Sequence, residues 1–425
     1  MIPYRSMEKA ELRTAYETER AEHENCKKQN LSLNIARGKP PKVQLDLVSD
    51  MLTVLTDPAD CICDGVDARN YGEITGMKCA HRFWAELLGC RPEQVLAGGN
   101  SSLFLMYNVI AKAYSHGLLH SARPWNQEGK IRFLCPSPGY DRHFRITEAF
   151  GAELITIPMT PTGPDMDMVE EYVKDPTVKG IWCVPKYSNP DGIIYSDETI
   201  SRFAHLEPAA PDFIIMWDNA YCLHDLGDEY VPFPDILSLC EEAGHPDMVY
   251  EFASTSKITF PGAGVAVIAT SEGNLRHITK LMSVEMISFD KINQLRHVLY
   301  LKNKENTLKL MRKHAAILAP KFSLVCDILN REIAPLEFAD WNRPAGGYFI
   351  SFNTMPGTAR RALELCSEAG LTMTPAGATF PYGVDPRDSN IRIAPSLPPL
   401  DELEKAMHVF CNCLKLAALE KLLAQ

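Results

Sequence analysis

The sequence predicts an α/β protein whose mainly parallel sheet is covered by helices, on three observations. From residue 131 onward, short β-rich apolar runs alternate with helix-patterned stretches. Polar, chemistry-bearing residues follow several of those runs directly, at the carboxyl ends where ligands collect in such sheets. At 425 residues the chain also exceeds the size at which one core usually stops growing, so two domains are expected.

The first 130 residues prepare this arrangement. Residues 6–29 are rich in good helix formers, and residues 31–35 alternate like a short strand before the turn Arg37-Gly38-Lys39-Pro40-Pro41. A glycine-punctuated loop, 69–76, precedes a helix pattern from Met77 to Leu88. Gly98-Gly99-Asn100-Ser101-Ser102 then leads into an apolar helix over Leu103–Tyr114. Glycines and serines at a helix start suit an anion, because free N–H groups and the helix dipole point at the same spot. The stretch lacks the Gly-Lys-Ser/Thr of a nucleotide-type phosphate loop. It also reads as a plain helix cap.

The alternating part places strands at Ile131–Cys135, Glu153–Ile157, Gly180–Val184, Phe213–Trp217 and Val265–Ala269, with helices at Asp167–Val173 and Asp197–Leu206 between some of them. Tyr140, Asp141, Arg142 and His143 follow the first strand, Asn189-Pro190-Asp191-Gly192 the third, and Asp218-Asn219-Ala220-Tyr221 the fourth. Each has a bland alternative, such as a turn, a cap or a buried histidine. Just before the last strand stands Glu251-Phe-Ala-Ser254-Thr-Ser256-Lys257-Ile-Thr-Phe-Pro-Gly-Ala-Gly264. Hydroxyls beside a lysine suit a phosphate-bearing group, and a lysine in an apolar cleft can lose its proton and attack a carbonyl. The C-terminal part reads as a helix over Glu305–Asn330, strands near Leu336–Phe338 and Gly347–Phe352, and a helix over Gly357–Ala369. The amphipathic helix Pro399–Leu423 closes it, with Leu403, Met407, Phe410, Leu414 and Ala417 on one stripe.

Composition excludes several classes. A net charge of −11 and a pI near 5.6 argue against affinity for nucleic acid or anionic lipid, and no apolar run reaches membrane-spanning length. The start of the chain has no secretory pattern, so a cytoplasmic protein is expected. The 13 cysteines are scattered, and neither Cys61/Cys63 nor Cys411/Cys413 has a second pair at zinc-ligand spacing. Reduced, mostly buried thiols fit that setting.

In order and spacing these motifs resemble the class I, fold-type I pyridoxal-phosphate aminotransferases over nearly the whole chain. The bacterial aspartate-aminotransferase-like subgroup with Ser-Thr-Ser-Lys-Ile-Thr-Phe-Pro-Gly-Ala-Gly is the most similar. The resemblance implies a large domain, 61–297, with a mainly parallel seven-stranded sheet between helices, and a smaller α+β domain from 1–60 and 298–425. It implies pyridoxal 5′-phosphate as cofactor, with Lys257 as the covalent anchor and Asp218 paired with the pyridine nitrogen. Asn189 and Tyr221 match the residues that bond the ring's phenolic oxygen, Tyr140 the stacking aromatic, and His143 the histidine supporting the aspartate. Asn100, Ser101, Ser102 and Ser254, with Ser256, match the phosphate cup. Tyr71 matches a tyrosine that reaches the phosphate of the neighbouring subunit, so a homodimer is implied. Arg392 matches the arginine that binds the substrate α-carboxylate, and Gly38 a glycine that lets backbone approach the substrate.

One departure stands out: Pro261–Ala266 lacks the arginine that follows the lysine in the common pattern and pairs with the phosphate. Lys186 and Lys291 are the candidates to replace it. For a distal substrate carboxylate Arg37 comes first, followed by Asn100, Lys291 and Arg296. The implied reaction is transamination of aspartate or glutamate with 2-oxoglutarate. The alternatives are an aromatic or broad-range aminotransferase, a C–S lyase of the same cofactor, and a ligand-sensing effector domain. Against the last, Tyr71 falls too near the start to leave room for a DNA-binding domain, and the acidic balance agrees.

Overall fold

The computed structural model describes residues 2–425. Its largest sheet has eight strands in the order Val95–Ala97, Ala266–Thr270, Val249–Ser254, Ile214–Asp218, Val178–Cys183, Arg132–Ser137, Glu153–Thr160, Gly163–Pro164. The five strands from Val249–Ser254 to Glu153–Thr160 are mutually parallel. Ala266–Thr270 runs antiparallel to both of its neighbours. The eighth strand, beyond the seven expected, is the two-residue Gly163–Pro164, which turns back on Glu153–Thr160 at the edge.

Both faces of this sheet are covered, so its strands are apolar on both sides. Ile215 and Trp217 pack with Trp84 and Leu87 of the helix Lys78–Leu88. Ile214 and Met216, alternating with them, pack with Met106, Val109 and Ile110 of the helix Ser102–Ser115. A third apolar cluster joins the two ends of the chain: Leu12 and Cys26 of the helix Lys9–Lys28 meet Leu403, Met407 and Phe410 of the helix Leu400–Ala424, and Phe352 and Ile393 belong to it too. The latter two lie on an antiparallel sheet of Asp340–Trp341, Ile350–Asn353 and Asn390–Ile393. Leu33–Asn34 pairs in parallel with Leu371–Thr372, which brings the Arg37 turn beside the segment after residue 372. No described helix is long and apolar enough to cross a membrane.

Three expectations need correction. The strand near Leu336–Phe338 is displaced: Ala334–Leu336 forms a 3₁₀ turn, Glu337 takes a left-handed φ of 53°, and the strand is Asp340–Trp341. The last helix buries more than one stripe, since Val409, Cys411, Cys413, Leu416 and Leu419 are also buried. It is enclosed by other helices, so residues two apart, facing different ways, both reach apolar surroundings. The third miss is the strand Val249–Ser254, whose apolar run is interrupted by Glu251.

Glu251 is 3% exposed, accepts a hydrogen bond from Asn219 Nδ2 at 2.8 Å through Oε1, and leaves Oε2 unpartnered. Burial pushes its carboxyl up to about 8 from 4.5. The sign follows from proton counts: between those values the folded chain holds a proton there that the unfolded chain has lost, so Glu251 lowers stability progressively as pH rises from 4.5 to about 8. Glu251→Gln keeps the shape and cannot ionise. Thermal denaturation should show the variant matching the parent near pH 5 and exceeding it near pH 8, in keeping with the pKa of about 8. An unchanged difference across that range would contradict the buried, protonated state.

Candidate active site

The carboxyl ends of the parallel strands open into a cavity of about 670 Å³. Asp218 is the last residue of its strand and Ser254 the last of the next one, with Phe252 in register with Asp218. Ser101, Ser102, Tyr140, Asn189, Tyr221, Ser256, Lys257 and Arg392, eight more of the expected residues, line the same space, and Arg37 and Gly38 enter from the N-terminal turn. These residues run from Arg37 to Arg392 in sequence, yet share one site.

The polar geometry is specific. Asp218 is 4% exposed, and His143 Nε2 lies 2.9 Å from its Oδ2, while Oδ1 is buried and unpartnered. A buried carboxylate oxygen without a partner is costly unless a cationic or N–H group completes it. His143 is itself fixed by stacking on Trp182, with ring centroids 4.5 Å apart. Lys257 Nζ lies 4.9 Å from the centre of the Tyr221 ring and 5.9 Å from that of Tyr348. Loss of hydration lowers its pKa, and Asp218 only partly opposes this. Burial, with Asp218 and Asp141 adding to it, pushes the Tyr140 phenol up to about 12, and burial, with Tyr140 and Asp218 adding to it, raises that of Tyr221 well above its ordinary value. Both phenols therefore stay protonated as hydrogen-bond donors.

Ser102 opens the helix Ser102–Ser115, its N-cap Ser101 makes no side-chain cap bond, and both serines line the cavity where the first N–H groups of a helix lack intrahelical partners. Ser254 Oγ donates to Ser256 Oγ at 3.0 Å. Together these hydroxyls and amides make an anion cradle. Gly38 is needed for close packing, since a Cβ there would sit 2.7 Å from Phe349 Cζ.

Arg392, on the strand Asn390–Ile393, is 8% exposed and lies over the Phe349 ring. Its Nη1 donates to Asp141 and Asn189, each at 3.3 Å, its Nη2 to Thr374 Oγ1 at 3.4 Å, and its Nε is buried without a partner. These contacts are long for a guanidinium and leave the fork able to grip a carboxylate. A lysine cannot reproduce two parallel bonds. Arg392→Lys is accordingly expected to raise KM for amino acid and oxo acid about 30-fold or more. Steady-state kinetics with both substrates check this, and an unchanged KM would remove Arg392 from substrate binding.

The profile of the aspartate amino-transferase family matches residues 7–425. The chain belongs to that family. A curated aspartate aminotransferase of Corynebacterium glutamicum is 47% identical over 397 residues, covering 93% of this chain and 92% of the relative. The crystal structure of an aspartate transaminase from the same species superposes with a TM-score of 0.97 at 45% identity, covering 99% of each chain. The α-aminoadipate aminotransferase LysN of Thermus thermophilus, at 20% identity and a TM-score of 0.74 over 92% of this chain and 93% of the other, shares the fold. The chain is an aminotransferase with the fold-type I architecture.

In this aminotransferase some expected residues lie elsewhere. Asn100 is exposed and lines a separate cavity of about 240 Å³ with Gly99, Gly264, Asn293 and Arg296. Tyr71 is 80% exposed, away from the Lys257 cavity of its own chain. Lys186 and Lys291 are corrected as phosphate partners, because each is spent on backbone carbonyls. Lys186 Nζ donates to Cys222 and Val231 and pairs with Asp225, and Lys291 Nζ donates to the carbonyls of Asn70 and Gly72, holding the Tyr71 loop. Lys291 is excluded from distal carboxylate contact for the same reason, and Arg296 and Asn100 do not line the main cavity. Arg142 and Arg145 do line it, beside Ser101, and so does Lys39. Their signal was available: three residues apart on the helix Asp141–Ala149, both arginines share a face just after Tyr140.

Proposed function

We propose that this aminotransferase moves the amino group of L-aspartate or L-glutamate to a 2-oxo acid such as 2-oxoglutarate, with pyridoxal 5′-phosphate as its cofactor. The observation that carries this reading is the charge of the cavity. With Lys257 set aside as the anchor and Asp218 as the partner of the ring nitrogen, Arg37, Lys39, Arg142, Arg145 and Arg392 line it against only Asp141, five cations to one carboxylate. A phosphate of about two negative charges and one α-carboxylate leave one cation over, and a second substrate carboxylate is its natural partner. Arg37, Arg142 and Lys39 are the groups assigned to it, and Arg145 lies beside the hydroxyls at the start of the Ser102–Ser115 helix, where the phosphate is placed.

The residues present fit the cofactor. Asp218 Oδ1, left free by His143, is placed to hold a proton on the ring nitrogen, and Tyr140 to cover one ring face. Asn189 and Tyr221 offer donors to the phenolic oxygen, and Ser101, Ser102, Ser254 and Ser256 hold the phosphate. When bound, the protonated ring supplies a sink for the electrons of the bond broken at the substrate Cα. Lys257 would anchor the cofactor covalently until the substrate amine displaces it, and its freed Nζ, poised by its lowered pKa, would then take the proton leaving Cα and return one during the exchange. Arg392 fixes the α-carboxylate and hence which Cα bond is aligned for cleavage.

The test is an absorbance spectrum of the purified protein after adding excess L-aspartate and then 2-oxoglutarate. A yellow band that bleaches with aspartate and returns with the oxo acid supports the proposal. Bleaching only with aromatic or sulfur amino acids would keep the cofactor and reject the acidic substrate. No band after adding pyridoxal phosphate would reject both.

The exposed Tyr71, on its clamped loop, supports a homodimer in which each chain completes the other's phosphate site. Tyr71→Ala and Lys257→Ala proteins, each impaired alone, should regain up to about a quarter of native sites after subunit exchange in a one-to-one mixture. No recovery would mean that each site is built from one chain.

A further inference from the structure

We propose that Cys63, Asp64 and Cys79 form a binding site for a thiophilic divalent cation, for which zinc is the best match. The site lies outside the Lys257 cavity, and nothing in the transamination reading uses it. Cys63-Asp64-Gly65-Val66 is a two-residue hairpin turn joining Ile62–Cys63 to Val66–Asp67, with Asp64 and Gly65 at φ 51° and 77°. Positive φ at both central positions is what the tight, mirror-image hairpin turn requires. The turn lifts Asp64 beside the Cys63 side chain. Cys79, the second residue of the helix Lys78–Leu88, meets them from the other side.

The two sulfurs and a carboxylate oxygen lie within 4.8 Å of one another. Tetrahedral zinc, with metal–sulfur bonds near 2.3 Å and metal–oxygen bonds near 2.1 Å, needs ligand atoms roughly 3.5–3.8 Å apart, so shifts of about 1 Å close the site. Cys63 Sγ already donates to Asp64 Oδ2 at 3.7 Å. Arg82 Nη2 donates to both Asp64 oxygens, at 3.0 and 2.8 Å, from the same helix face as Cys79. Two thiolates, a carboxylate and a divalent cation sum to −1, and Arg82 brings the cluster to neutrality while orienting the carboxylate. Cys63 is half-buried and Asp64 exposed, which leaves the fourth position to water.

Such an ion would tie the hairpin to the start of the helix. It would thereby close the base of the segment whose middle carries Tyr71 and whose carbonyls at Asn70 and Gly72 are held by Lys291. On binding, two S–H bonds are replaced by metal–sulfur bonds and two protons are released, with no change of oxidation state.

The experiment is zinc titration of the reduced, chelator-treated holoenzyme by calorimetry in the presence of a competing chelator. One zinc per chain is expected, with Kd falling as pH rises because two protons leave. Cys63→Ser and Cys79→Ser should each weaken binding at least about 100-fold. Arg82→Gln should weaken it about tenfold, and Cys61→Ser should leave it unchanged. Cobalt as a probe should give the intense visible bands of tetrahedral thiolate ligation, lost in the Cys79→Ser protein. Equal zinc binding by the parent and the Cys63→Ser/Cys79→Ser double variant would assign the metal to surface histidines and overturn the proposal. So would the absence of binding, or a Cys63–Cys79 disulfide in the aerobically purified protein whose reduction restores no zinc affinity. Asp64→Asn, exposed and close in shape, guards against misfolding: it should weaken binding about tenfold with an unchanged melting curve, and undiminished affinity would overturn the three-ligand site.

Discussion

Lys257→Ala is expected to lower kcat by at least about 10⁴-fold, the upper range for removing a positioned general acid–base, and to abolish covalent retention of the cofactor. The lysine sits between the hydroxyl run Ser254–Ser256 and the turn at Pro261, with Nζ directed over the Tyr221 ring. Burial lowers its pKa, which favours the neutral amine, and Asp218 keeps that lowering from going further. Alanine removes the base and leaves the anion cradle and Arg392 in place. Substrate binding should therefore survive while proton transfer does not. Single-turnover absorbance with L-aspartate measures the rate, and mass spectrometry after borohydride treatment measures the adduct. A small primary amine in the buffer should restore part of the rate, because it supplies the missing nitrogen. An adduct persisting in Lys257→Ala, or a rate within tenfold of the parent, would remove Lys257 from the chemistry.

Asp218→Ala should cost about 10³-fold in kcat, comparable to losing one preorganised electrostatic partner or more in a buried site. Its two carboxylate oxygens have different fates. His143 Nε2 engages Oδ2 at 2.9 Å, and Oδ1 remains buried and unpartnered. Removing the carboxylate takes away the only anion placed to keep a ring nitrogen protonated; Asp141, the other carboxylate on the cavity wall, is committed to Arg392. Asp218→Glu should recover part of the rate. His143→Ala, which leaves the charge but loosens its aim, should cost only about tenfold, in line with the loss of an orienting outer contact. Rates over pH 6–9, with cofactor affinity measured separately, distinguish a lost electrostatic effect from lost binding. If Asp218→Ala and His143→Ala prove equally mild, Asp218 serves only to satisfy the histidine.

The parts of the structure legible in the sequence share one physical property: they follow from short-range pattern. Doubly buried strands must be apolar on both sides, which made Ile214–Asp218 and Ala266–Thr270 readable as runs. Loops at the carboxyl ends of parallel strands collect ligands, which placed Tyr140, Asn189 and Asp218 on one edge, whereas Lys257, whose strand Val249–Ser254 is interrupted by Glu251, was marked by the family resemblance alone. Helix starts must leave N–H groups free, which marked Ser101 and Ser102.

Packing, in contrast, sets where long polar side chains go once distant segments meet. Lys186 and Lys291 have the same chemistry as a phosphate partner, yet each meets carbonyls of a neighbouring loop first. Arg142 and Arg145 face the cavity because the helix Asp141–Ala149 is rotated that way by His143 and Phe144 entering the core. Glu251 hid a strand because its burial depends on Asn219, 32 residues earlier. Cys63 gained a partner in Cys79 only when a hairpin folded against a helix. Apolar periodicity is a local constraint on every residue of an element, so it can be read along the chain. The destination of a single flexible charge depends on which donors and acceptors arrive from elsewhere, and that is set by packing alone.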